Sequence, residues 1–151
     1  MKTGRLAVVI LLAGFARLSA ADGSFEKTIA VPRDSDAQLD WKYRGCSVDS
    51  LTLRNYPDEE DVDEARRNDP DDKAWLWWEF NVSNSSDRKC RVSLLLQVLD
   101  KRGNVIKSSD RNDTISPGKL DDDIRVSTLM KTLDVVDAAA KVRIRATIAF
   151  K

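Results

Sequence analysis

No histidine occurs anywhere in the 151 residues. That absence removes the most frequent general base and metal ligand, so Ser-His-Asp and Cys-His catalysis and every His-containing zinc site are excluded. Cysteine is almost as scarce: Cys46 and Cys90 are the only two, too few for a four-thiolate zinc or iron-sulfur centre. An excess of charge of one sign is also missing, with 25 Lys and Arg against 25 Asp and Glu. Nucleic-acid binding rests on a concentrated basic face, and none is visible. A long apolar run is lacking too. The stretch from Leu6 to Phe15 is about half of the roughly 20 residues a membrane helix needs, and Arg17 follows it.

That short run has Lys2 and Arg5 before it and Ser19, Ala20 and Ala21 after it, which is the pattern of a secretory signal peptide cleaved after Ala21. Residues 1–21 are therefore read as the leader and residues 22–151 as a single domain, with no stable membrane insertion after cleavage. The leader carries three bases and no acid, leaving 22 bases against 25 acids, a net charge of about −3. Export, to a periplasm or the medium, places Cys46 and Cys90 where a disulfide persists. Such a bridge would stabilise by about 4 kcal/mol in the chain-entropy model. Two buried free thiols are the other reading of the pair.

Three segments alternate apolar and polar residues with period two, as strands with one buried face do. Ala74, Leu76, Trp78, Phe80 and Val82 share one face; Cys90, Val92, Leu94, Leu96 and Val98 share another; Val142, Ile144, Ala146, Ile148 and Phe150 form the third. The polar stretch 83–89 suggests that the first two pair as a hairpin, with Trp78 opposite Leu94, Phe80 opposite Val92 and Glu79 facing Ser93. Turns are expected at 100–104 around Gly103 and at Ser116-Pro117-Gly118, with Ile124, Val126 and Thr128 on one face of a later strand. Phe25 to Val31 can open the fold. Trp41 to Leu53 reads as one bent strand whose parity changes near Asp49-Ser50, which requires an extra residue there. Leu129, Leu133 and Val136 recur at helical spacing and predict a short helical crossover over 129–140. About seven strands and one such crossover predict an all-β, immunoglobulin-like antiparallel β-sandwich.

From Ala74 onward the order of features resembles the bacterial FxLYD-type domains, small immunoglobulin-like sandwiches of the cell envelope. The carrying residues are Phe80-Asn81-Val82-Ser83-Asn84, Leu96-Gln97-Val98-Leu99-Asp100 followed by Gly103, and Ile115-Ser116-Pro117-Gly118. The aromatic of the family's naming motif falls at Leu96 and its tyrosine at Leu99, and Asp100 matches literally. The resemblance implies an extracytoplasmic, non-enzymatic module and carries no catalytic or binding residue across.

The sharpest local anomaly is Ala74-Trp75-Leu76-Trp77-Trp78, which is apolar on both faces of one strand. In the expected hairpin, Trp77 lies opposite Leu95 and Trp75 opposite Gln97, with Leu99 close by. Trp75, Trp77, Leu95 and Leu99 are thus the candidate binding patch. It would serve an envelope protein partner, self-association or, alternatively, stacked sugar rings; the chain itself folding over the indoles is the competing reading. Segment 57–73 holds nine acids and three bases and reads as a solvated acidic loop. It lacks the glycine of a calcium-binding loop of the Asp-rich type. Asp121-Asp122-Asp123 reads as a charged strand entrance. Asn81, Asn84 and Asn112 open glycosylation sequons and are taken as exposed turns. No pair of acids is marked for hydrolysis, and neither a cofactor nor a metal is expected.

Overall fold

The computed structural model describes residues 23–33, 35–55, 74–130 and 138–151. The leader, the acidic segment 57–73 and positions 131–137 of the expected crossover lie outside the described residues. Eight strands follow in order: β1 (Ser24–Ala30), β2 (Ala37–Tyr43), β3 (Cys46–Asn55), β4 (Ala74–Asn84), β5 (Cys90–Leu99), β6 (Val105–Ile115), β7 (Asp122–Met130) and β8 (Lys141–Phe150). They form two four-stranded antiparallel sheets, β1-β8-β5-β6 and β2-β3-β4-β7. The fold is an all-β sandwich. Leu129 and Met130 belong to β7 and pair with Trp75 and Ala74, so the first residues assigned to a helical crossover are strand. No helical crossover is seen among the described residues.

The alternating side chains do what period two demands. Leu76, Trp78, Phe80 and Val82 of β4 meet Val92, Leu94, Leu96 and Val98 of β5 inside one core, joined by Ile124 and Val126 of β7 and Val142, Ile144 and Ile148 of β8. The expected β4–β5 hairpin is not formed. Both edges of β4 are occupied, by β3 and β7, and both edges of β5 by β6 and β8. The two apolar faces therefore stack across the sandwich instead of lying side by side, which satisfies the same pattern because burial of a face does not depend on which strand lies beside it.

The crossing between sheets is made by Asn84. Its side chain is fully buried and every polar atom is used: Nδ2 donates to the carbonyls of Arg88 (2.8 Å) and Ile115 (3.1 Å), while Oδ1 accepts from the Ser86 amide (3.1 Å) and hydroxyl (2.7 Å). It is a corner post and not an exposed turn residue, which rules it out as a glycan acceptor in the folded chain. Asn84→Ala, which takes a donor from the Ile115 carbonyl and an acceptor from the Ser86 amide while the Arg88 carbonyl keeps the Ser86 hydroxyl, is expected to cost about 2 kcal/mol in urea unfolding. The neighbouring first residues of β3 and β5, Cys46 and Cys90, are joined by a disulfide with Cα atoms 6.5 Å apart. The bridge pins the two sheets to each other and leaves no free thiol.

Trp41 to Leu53 is a hairpin and not one bent strand. Arg44 (φ 49°) and Gly45 (φ 88°) are both left-handed, the requirement of a two-residue turn whose twist suits the flanking strands. The parity change near Asp49 is nonetheless present. The β3–β4 register shifts between Val48 and Ser50, which keeps Val48 and Leu51 both buried. The turn from β5 to β6 is held by Asp100, whose Oδ1 accepts from the amides of Arg102 (2.8 Å) and Asn104 (2.9 Å). Gly103 adopts φ 89° there.

Candidate functional site

The outer face of the β2-β3-β4-β7 sheet presents the odd-numbered residues of β4. Trp77 lies opposite Ser127, Glu79 opposite Arg125 and Asn81 opposite Asp123 on β7. On the other side, Thr52 of β3 pairs with Glu79. A second register shift, between Leu53 and Asn55, gives β3 an extra residue beside Trp77, and bulges of this kind re-aim side chains. Arg54 occupies that position and reaches diagonally to Glu79.

Glu79 is the centre of the face. Its Oε1 accepts from Arg54 Nε (2.9 Å) and Nη2 (2.8 Å), and its Oε2 from Arg125 Nε (2.9 Å). The carboxylate is 8% exposed, whereas the two arginine side chains are 60% and 69% exposed. Among the described residues the acid is shielded by the arginine side chains that bind it. The hydrogen bonds from Arg54 and then Arg125, with the attraction of both charges, hold its carboxyl below the usual range against the opposing effect of burial. In turn Glu79 raises the already high pKa of Arg54. The folded-state pKa lies below the unfolded one, so the stability Glu79 contributes is present at neutral pH and is lost as pH falls through the folded value. Replacing it by glutamine is expected to cost about 1–2 kcal/mol at pH 7, a modest figure because solvent screens the two arginines. The difference between Glu79→Gln and the parent should shrink in urea titrations taken progressively below pH 4.5.

A groove of about 680 Å³ opens here, lined among the described residues by Arg54, Trp77, Trp78, Glu79, Asp123 and Arg125. The Trp77 indole is 47% exposed, whereas the Trp78 side chain is turned into the core with none of its surface accessible. Further along the face Asn81 Nδ2 donates to Asp121 Oδ1 (2.7 Å), and the Ser47 and Ser83 hydroxyls lie 2.6 Å apart. Thr52 donates to Asp36 (2.7 Å) on the side of β2.

The four residues proposed from sequence as one patch are not brought together. Trp77 is on this face. The backbone of Trp75 pairs with Leu129, and its side chain is not among those described. Leu95 is half-buried on the outer face of the other sheet, opposite Asp110 and Arg145. Leu99, at the end of β5, is 1% exposed, so it offers no surface to a ligand. The separation follows from stacking the strands in different sheets. The Arg54–Glu79–Arg125 group was missed from sequence because it depends on knowing that β4 lies between β3 and β7; an acid in mid-strand with bases on two later-assigned neighbours was its only signal. Among the described residues no group of three or more acids or cysteines could hold a metal ion. No described helix is long and apolar enough to cross a membrane. The intramolecular disulfide fits a non-cytoplasmic protein. Compared with known proteins, the chain matches no family model and no curated protein.

Proposed function

We propose that this chain is an exported, non-enzymatic binding module of the cell envelope, periplasmic or secreted, whose recognition surface is the outer face of the β2-β3-β4-β7 sheet at Trp77. The observation that carries the reading is the half-exposed indole beside two arginines already fixed by Glu79. An aromatic plane next to immobilised hydrogen-bond donors loses little conformational freedom when a ligand arrives. The leader pattern, the disulfide and the resemblance to FxLYD-type envelope domains support the compartment.

Two features support a non-enzymatic role. The groove holds two carboxylates, Glu79 and Asp123, but both oxygens of Glu79 are engaged by guanidinium groups and its pKa is lowered. A general acid for glycoside cleavage needs the opposite shift. A broad apolar contact with a protein partner or a second copy loses support with the dispersal of Leu95 and Leu99. Co-sedimentation with isolated cell envelopes tests the proposal. The parent protein is expected to pellet, and Trp77→Ala, with unchanged melting temperature, to stay at least tenfold more in the supernatant. Equal pelleting of the two would remove the reading.

A further inference from the structure

We infer that the ligand of this face is an uncharged oligosaccharide of at least two rings, lying along β4 and β7 with one ring stacked on Trp77. The inference rests on the binding-module reading above and adds the chemical class of the ligand.

The charge of the lining residues is balanced, Arg54 and Arg125 against Glu79 and Asp123, and one further acid, Asp36, stands beside Thr52 at the Arg54 side. An anionic ligand would meet Asp123 and Asp36, and a cationic one would meet two guanidinium groups, so a ligand of either sign leaves one like-charge encounter uncompensated. A polyhydroxylated neutral ring has no such penalty. Its hydroxyls both donate and accept, and the face offers both kinds of partner. Arg54 spends Nε and Nη2 on Glu79, and Arg125 spends Nε; Arg54 Nη1 and both terminal nitrogens of Arg125 have no partner among the described residues and are the donors assigned to the ligand. The Asp123 carboxylate, with no side-chain partner among the described residues, is the acceptor.

The spacing sets the minimum length. Trp77 pairs with Ser127 and Asp123 with Asn81, so the indole and the carboxylate stand four residues apart along the strands, about 13 Å at the usual rise. One pyranose ring does not span that distance, and two joined rings do. The exposed indole face supplies the stacking surface, the two arginines lie midway, and Asp123 closes the far end.

The test is an oligosaccharide array carrying neutral gluco-, manno-, xylo- and N-acetylglucosamine tetramers beside uronate tetramers, followed by calorimetric titration of the best responder. The expected result is binding of at least one neutral tetramer, weakened tenfold or more by Trp77→Ala, retained within threefold by Trp77→Tyr, and weakened severalfold by Asp123→Asn. Both positions are on the outer face, so melting temperatures should match the parent. Binding confined to uronates, or neutral binding indifferent to Trp77, overturns the inference. A silent array combined with Trp77-dependent, protease-sensitive envelope pelleting also overturns it, while leaving the binding-module reading standing with a protein partner. A silent array with no Trp77-dependent pelleting overturns both.

Discussion

Replacing Cys46 and Cys90 together by alanine is expected to lower the unfolding free energy by about 4 kcal/mol. The bridge spans a sequence separation of 44, and without it the unfolded chain regains the freedom of that whole loop. Because typical domains have only about 5–15 kcal/mol in hand, the double variant should show a large drop in urea midpoint, and the oxidised parent and its reduced form should differ by a similar amount. Both cysteines are fully buried, so mild reductant should act on the native protein only as fast as it opens. An oxidised and a reduced parent with the same midpoint would show that the loop is constrained by other contacts.

Trp78→Ala should cost about 4 kcal/mol, the range for removing a large aromatic from a close-packed interior. Trp78 is wholly enclosed, and its Nε1 donates to the Thr128 hydroxyl (3.0 Å), which itself lies 3.1 Å from the Ser109 hydroxyl. Thr128→Val separates packing from hydrogen bonding. It keeps the volume but leaves a buried indole N–H without an acceptor, and is expected to cost about 1–3 kcal/mol. Near-UV circular dichroism should fall in Trp78→Ala and persist in Thr128→Val. The adjacent Trp77→Ala should be close to neutral in the same unfolding experiment, since its ring is half in water.

The inward side of Trp78 is legible from alternation alone, as are the inward faces of β4, β5, β7 and β8 and the extra residue near Asp49; the exposure of Trp77 is not, because alternation gives its face but not whether the chain folds over it. Burial follows from a side chain's parity, and parity is local. Which strand lies beside which is not local, and that is where the reading failed: β4 and β5 were paired as a hairpin although their faces meet across the core. The misplacement of Leu95 descends from it, because Leu95 belongs to the other sheet. Leu99 is lost to the patch separately, since it is buried at the end of β5. The β2–β3 turn was overlooked for a similar reason, since Arg44-Gly45 lacks the asparagine or aspartate that usually marks such turns. Glu79 and its arginines were invisible because ion pairs between strands depend on adjacency.

The position of β8 has a consequence for how the chain is made. It lies between β1 and β5, so residues 24–30 have no neighbour, and β5 has one edge open, until residues 141–150 have emerged. Partners so distant along the sequence form slowly. A polypeptide threaded through a translocation channel from its amino end would therefore complete this sheet only after its last strand had come through, whereas every strand of β2-β3-β4-β7 would already have arrived.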